Sequence, residues 1–398
     1  MQNTGLKEKI KSLSNSYLQE IIAVRRHLHT IPETGFNEFQ TAEYIIKKLK
    51  EYGISYQSGI ATTGIVGTIS GKNPNAKTIA LRADMDALPI TEANDIDYKS
   101  NNNGIMHACG HDVHMSCLLG AAKILNEIKN EFEGTIKLFF QPSEEMFPGG
   151  ARAMINKGVM ENPKVQNVIG QHVLPQIEVG KIGLKSGKYM ASTDEIYIIV
   201  KGKGGHAATP ELYINPLNIA ATIILELEKE FNKNKPADSI SVLAFGKIIG
   251  EGRTNIIPDE VKLEGTIRTF DENWRAKAHS IIESLSSSIA NKMRGSCDIH
   301  IAKGYPVLVN DDVLTKNVKQ FAEEYLGKEN VVDLEMRMTA EDFAYFAKEV
   351  PSVFYRLGVR NEQKNITSNL HTSTFNVDES CMNIGVGLMA WIAVSQLK

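Results

Sequence analysis

Cysteine is scarce: four residues, Cys109, Cys117, Cys297 and Cys381, in a chain of 398. So few thiols over such a length do not make a disulfide framework, and each is judged by its neighbours. Long apolar runs are absent too. The opening Met1-Gln-Asn-Thr-Gly-Leu-Lys-Glu-Lys-Ile10 lacks the apolar stretch of a secretory leader, and nothing approaches the roughly 18 apolar residues of a membrane span. A cytoplasmic address and no membrane partner are expected. Nor is there an excess of positive charge, since 44 basic against 47 acidic residues leave a net −3. That offers no cationic surface for counterion release on a polyphosphate, so nucleic acid is not expected as a partner. Internal repeats and low-complexity tracts are lacking as well.

What remains is a folded composition, 42% apolar and 23% charged, in a chain long enough for two domains at about 150 residues each. Asn37-Glu-Phe-Gln40 has the form of a capping box opening an amphipathic run through Tyr44, Ile45, Ile46 and Leu49 that stops at Gly53. Apolar strands at 65–69, 78–81, 134–140 and 168–169 alternate with a helix carrying Met115, Leu118, Leu119, Ala122 and Leu125. That grammar predicts an α/β sheet covered on both faces. From about 192 to 303 the order becomes strand, helix, two strands, helix, strand, the split β-α-β unit of ferredoxin-like folds. The α/β pattern then resumes and closes with a helix at 379–397, which needs the first core to pack against. The predicted architecture is α/β with two domains: a mixed-sheet α/β/α domain (1–190 and 305–398) interrupted by a ferredoxin-like α+β domain (191–304).

The densest polar cluster is Met106-His-Ala-Cys-Gly-His-Asp-Val-His114. Cys109 and His111 are two apart, so in an extended segment a thiolate and an imidazole emerge on one face and can share a cation. A lone C-x-H pair is equally a buried thiol beside a satisfied histidine. Glu144 and Glu145 follow a strand that Pro142 ends, which places them at the carboxyl edge of the sheet, where open α/β sheets hold ligands. Adjacent side chains diverge, so one carboxylate can ligate while the other acts as a base; a solvated acidic loop is the plainer alternative. His172 arrives in the same way after Val168-Ile169-Gly170, and His371 lies in a polar loop before the last helix. Cys, His, Glu and His delivered to successive strand edges make a metal-ligand set that no member makes alone. Asp86, at i+2 from Asp84 after another strand, can orient a ligating imidazole.

With these motifs in view, the chain resembles the metal-dependent aminoacylase and carboxypeptidase amidohydrolases, in the branch of hippurate hydrolase, the indoleacetyl-amino-acid hydrolases and N-acetyldiaminopimelate deacetylase. The resemblance runs through Arg25-Arg-His-Leu-His29 with Pro32-Glu33, Arg82 to Pro89, His107 to His114, Gln141 to Glu145 with Gly149-Gly150, His172, Gly204-Gly-His-Ala207, Asn255-Ile-Ile-Pro258, Thr339-Ala-Glu-Asp-Phe343 and His371. It implies two divalent metal ions per subunit on Cys109, His111, Glu145, His172 and His371, with Glu144 as general base and Asp86 orienting the site. Manganese or zinc is implied, with cobalt or nickel also used in the branch. In other branches a histidine stands at the position of Asp84 and an aspartate at that of Cys109. By the same resemblance the inserted domain is a lid that builds a homodimer. His206 then reaches the partner subunit's site to stabilise an oxyanion, and Arg268 with Asn255 beside it grips the α-carboxylate. The implied substrate is a small N-acyl amino acid with an acetyl, benzoyl or aryl-acetyl group, cleaved to a carboxylate and a free amino acid by activated water. A dipeptidase or carboxypeptidase is the alternative within enzymes, and a non-catalytic metal-binding relative the alternative outside them.

The remaining features read as structural. Thr339-x-x-Asp342 has the form of a helix N-cap, His27 and His29 anchor the first helix near the core, and Cys117 lies on an apolar helix face.

Overall fold

The computed structural model describes residues 2–398, with side-chain environments from residue 5 onward. The chain divides into two compact units: residues up to Tyr189 with Val309–Glu335 and Asp342–Lys398, and Met190–Leu308 with Met336–Glu341. The short return segment Met336–Glu341 groups with the inserted unit because Ala191 N donates to the carbonyls of Arg337 and Thr339, each at 3.1 Å. Among the described residues no helix is long and apolar enough to cross a membrane.

The larger unit holds a mixed eight-stranded sheet. Its order is Ser55–Ile60, Gly64–Ser70, Thr135–Gln141, Thr78–Asp84, Asn167–Glu178, Ser352–Arg360, Ile182–Leu184, Val331–Asp333. Every residue of the Thr78–Asp84 and Thr135–Gln141 strands is buried, as parallel strands with helices on both faces must be. The closing helix, Cys381–Gln396, packs against the first helix, Gln2–Thr30, and against His111–Glu127. It is apolar nearly all round because little of it meets water. Cys117 and Cys381 are buried in this core and Cys297 is half-buried in a strand of the other unit, all as free thiols.

Three local expectations fail here for tertiary reasons. The Asn37–Gln40 capping box does not form: the helix is Phe39–Glu51 and Asn37 Nδ2 donates to Gly35 O at 3.1 Å. The first amides are satisfied from farther back, Gln40 N and Thr41 N donating to the Glu33 carboxylate at 3.2 and 3.0 Å. Nor does Thr339-x-x-Asp342 cap a helix, since the helix is Ala344–Glu349, without a side-chain cap, and starts two residues after Asp342. Its carboxylate accepts instead from Arg82 Nη2, Gln141 Nε2 and Ala151 N at 3.0, 2.8 and 2.9 Å. Finally, only His29 is buried; His27 is exposed, its ring against Tyr44 at 4.1 Å between centroids.

The smaller unit is an antiparallel four-stranded sheet ordered Ser241–Ile249, Glu260–Thr269, Ser192–Lys201, Ser296–Lys303, with helices Pro216–Asn234 and Glu272–Lys292. This is the split β-α-β order. Ile196, Ile198 and Val200 alternate onto the helix side and meet Ile219, Ile223, Leu227 and Ile282. Asn215 caps the first of these helices by accepting from Leu217 N, and Asp271 caps the second by accepting from Asn273 N and Trp274 N. Asp194, on the first strand, accepts from Arg275 Nε at 2.8 Å and sits 2.6 Å from His279 Nε2.

Burial opposes ionisation of Asp194, but these partners and Gly304 N lower its pKa to about 2. A folded value below the unfolded one, about 3.9, contributes stability above that pH and loses it as pH falls toward 2. Asp194→Asn is therefore expected to cost this unit about 2 kcal/mol at pH 7 and to flatten the acid limb of its stability between pH 4 and 2. Urea unfolding followed at several pH values by the fluorescence of Trp274, which lies in this unit, measures both; a variant as stable as the parent at pH 7 would count against it.

Candidate metal centre

Strand register collects the site. Arg82 stands opposite Phe139 on one neighbour and Gly170 on the other. Two residues further on, Asp84, Gln141 and His172 therefore come level at the carboxyl edge of the parallel strands. The turn leaving Gln141 carries Glu144 and Glu145, and carboxylates hold its amides. Ser143, at φ +50, donates its N–H to Glu38 Oε1 at 2.8 Å. Glu144 N and Glu145 N donate to the two oxygens of Asp86, each at 2.9 Å.

On the helix side, Gly110 (φ +83) precedes His111, and a Cβ there would lie 2.5 Å from Val173 Cγ2, so glycine alone fits. His371, at φ +61, donates its N–H to Ala108 O at 2.8 Å, which draws its loop against Cys109. Cys109 Sγ lies 3.4 Å from His172 Nε2, and His172 Nδ1 donates to Val173 O at 2.7 Å, so the Nε2 lone pair faces the thiol. His371 Nε2 is 3.1 Å from Glu145 Oε1. The ligating atoms of Cys109, His111 and His172, of Cys109, Glu145 and His371, and of His111, Glu144 and Glu145 each lie within 4.8 Å of one another. Thus the structure brings together Cys109, His111, Glu144, Glu145, His172 and His371, with Asp86 bracing the turn.

The electrostatics suit a cation. Both ring nitrogens of His111 are buried without a partner in hydrogen-bonding geometry. Nδ1 lies 3.3 Å from Asp86 Oδ1, and Nε2 lies 3.8 Å from Asp84 Oδ2 and 3.9 Å from Glu145 Oε1. Burial alone would lower the His111 pKa, yet the charges of Asp84, Asp86 and Glu145 push it up to about 10. The Cys109 thiol is driven the other way: burial first, then Glu145 and Glu144, hold it protonated well above the ordinary thiol range. A pocket that favours positive charge on an imidazole and resists a bare thiolate is one that a divalent cation would satisfy, converting the thiol into a ligand. The donor set of one thiolate, three imidazoles and carboxylates fits such an ion.

The three residues predicted to bind substrate lie in the smaller unit. His206 pairs with Ile256 in a two-residue ribbon, and Ala207 N donates to Asn255 O at 3.0 Å, so His206 and Asn255 share one turn. Arg268 does not lie beside them. It is opposite Thr193 at one end of the Glu260–Thr269 strand, while the Asn255 turn leads into the other end, eight residues or about 26 Å away. Arg268 Nη1 donates to Met338 O at 3.2 Å, and the residue lines a cavity of about 400 Å³ on the sheet with Thr193, Glu195, Tyr197 and Thr266.

Residues to which the sequence reading gave no role in the site complete it in the larger unit. Glu38, Arg82, His114 and Asp342 are buried and support it through side-chain bonds. None carries a local signal beyond its neighbourhood in a motif, because each has a partner 30 to 260 positions distant, even though Arg82 also bonds Asp84 two residues on.

Residues 80–394 match the model of peptidase family M20/M25/M40. Over 396 residues the chain is 37% identical to thermostable carboxypeptidase 2 of Saccharolobus solfataricus, with 98% of each chain covered. Over 387 residues it is 37% identical to N-acetyl-L-cysteine deacetylase of Bacillus subtilis, covering 96% of this chain and 90% of that one. Among solved structures it is similar to a Bacillus subtilis protein described as a dinuclear metal binding peptidase from the M20 family, with TM-score 0.82, 31% identity, and 96% and 99% of the two chains covered. Matches of this extent, together with the clustered donors, establish that the chain belongs to peptidase family M20/M25/M40 and is a metal-dependent hydrolase.

Proposed function

We propose that the protein hydrolyses the amide bond of N-acyl amino acids, with an acetyl, benzoyl or aryl-acetyl group, to a carboxylate and a free amino acid. One observation carries the chemistry: Glu144, only 6% exposed, presents a carboxylate within 4.8 Å of the donor atoms of His111 and Glu145 while its backbone is braced on Asp86. Cys109, His111, Glu145, His172 and His371 are the ligands for two divalent cations, manganese or zinc. When bound, such ions supply Lewis acidity and make water acidic enough to ionise near neutral pH. Glu144 takes the proton of the attacking water at its carboxylate and delivers it to the departing amine nitrogen. Asp86 keeps His111 and the Glu144–Glu145 turn in place. Arg268, whose planar fork matches a carboxylate, receives the substrate α-carboxylate. His206 and Asn255, sharing one turn, serve the partner subunit's substrate in a homodimer. The similarity to N-acetyl-L-cysteine deacetylase supports this substrate class. A second reading, cleavage of short peptides from the carboxyl end, is favoured by the equal identity to thermostable carboxypeptidase 2.

Amine release from N-acetyl and N-benzoyl amino acids and from dipeptides, by protein stripped with chelator and resupplied with manganese or zinc, tests the two. Metal-restored hydrolysis of the acyl amino acids is expected. Turnover of the dipeptides alone would overturn the first reading in favour of the second, and silence in every metal would sink both.

A further inference from the structure

His114 lies three residues after His111 on the same helix, and its ring makes a triangle with those of His172 and His111, 4.4 and 5.4 Å away between centroids. Asp84, His111 and His114 present donor atoms within 4.8 Å of one another, which by distance alone is another place for a cation. The hydrogen bonds exclude that use. Val173 N donates to His114 Nε2 at 2.8 Å, so Nε2 carries the lone pair and the proton sits on Nδ1. Nδ1–H then donates to Asp84 Oδ1 at 2.6 Å. The other oxygen, Oδ2, accepts from Arg82 Nη1 at 2.5 Å, and Arg82 is itself fixed by Gln141 Oε1 at 2.8 Å and Asp342 Oδ1 at 3.0 Å. Both ring nitrogens are engaged, and the carboxylate that sets the tautomer is held on its far side.

The bond that His114 receives lies next to the candidate ligand. The amide of Val173 is the peptide leaving His172, and Val173 O is the acceptor that orients the His172 ring through Nδ1. We propose that Asp84 and His114 form a positioning pair: they hold the backbone at His172–Val173 so that His172 Nε2 faces Cys109, and His114 is not itself a ligand. This rests on the reading of His172 as a metal ligand. It also gives a role to an aspartate that, by the resemblance, stands where other branches have a ligating histidine. Residues that orient a ligand typically change metal affinity 10- to 100-fold when removed.

The test is zinc titration of the apo full-length protein against a chromophoric chelator, with the visible spectrum of the cobalt(II)-loaded form as a second readout. In Asp84→Asn the amide oxygen faces Arg82, its N–H₂ turns to His114 Nδ1, and the ring must carry its proton on Nε2, opposed to Val173 N–H. His114→Phe keeps the volume and the Asp84 charge but accepts nothing, whereas the Oε1 of His114→Gln can still accept from Val173 N. One of the two sites is expected to weaken about 10- to 100-fold in Asp84→Asn and His114→Phe, with a shifted cobalt(II) spectrum, and to recover most of that loss in His114→Gln. Parental affinity and spectrum in His114→Phe would overturn the proposal whatever Asp84→Asn does, because the charge change alone also weakens cation binding. Should His114→Phe fail to fold, His114→Gln closer to the parent than to Asp84→Asn upholds the pair, and His114→Gln as weak as Asp84→Asn overturns it. His172→Ala separates the two readings: if it keeps parental zinc affinity, the ligand assignment fails, and if it loses a site while His114→Phe does not, the positioning pair alone fails.

Discussion

Glu144→Gln is expected to lower kcat by about 10²- to 10⁴-fold, or about 3 to 5 kcal/mol of transition-state stabilisation, while metal content and KM stay near those of the parent. The geometry makes this substitution clean. Glu144 is held by its backbone, through N–H to Asp86 Oδ1 at 2.9 Å, and a glutamine keeps both that bond and the side-chain volume. The capacity to take up and release a proton is lost. Steady-state kinetics on the best acyl amino acid, with metal content measured on the same preparation, decides it. Loss of metal together with activity would make Glu144 a ligand, and undiminished kcat would remove it from the reaction. A non-catalytic relative would have no turnover to lose.

The other large effect is on stability. Asp112, the second residue of the His111–Glu127 helix, is fully buried, and its Oδ2 accepts from Arg25 Nε at 2.7 Å and faces His29 Nδ1 at 2.8 Å. His29 reaches onward to Glu92 at 3.1 Å, and Arg25 to Glu379 at 3.2 Å. This network ties the first helix to the start of the helix that carries His111 and to the residues just before the closing helix. Truncating one member leaves a buried guanidinium short of its nearest anion, which typically costs about 3 to 5 kcal/mol. Asp112→Ala is expected to lose that much in chemical denaturation. Arg26→Ala, which removes only the exposed partner of Glu379, is expected to lose under 1 kcal/mol. Equal losses would mean that burial of the network does not govern its strength.

Carboxylates brace the region at every level, and this explains which parts could be read without coordinates. Alternation and amphipathic spacing located the strands at 65–69, 78–81 and 134–140 and six elements of the smaller unit, though not its two-residue strands Gly205–His206 and Ile256–Ile257, because side-chain period is a local property that shows only over several residues. The candidate residues that the structure brings together, Cys109, His111, Glu144, Glu145, His172 and His371, could be picked out because they follow strands or occupy short polar runs, though each alone had a plainer structural reading. The helix beginning at Phe39 was legible, but its cap was not, since Glu33 arrives from beyond a turn.

By itself the sequence determined the architecture, the residue types able to hold metal, and the order in which strands deliver them, because periodicity and chain order are carried by neighbouring residues. Tertiary structure alone decided which polar side chains face one another. It paired Asp84 with His114 and Arg82, sent Asp342 to Arg82 and Ala151 N, set Glu38 under Ser143, and kept Asn255 away from Arg268. These contacts join residues that are distant along the chain or placed by sheet register, and a buried charge takes whichever partner the packing brings within reach.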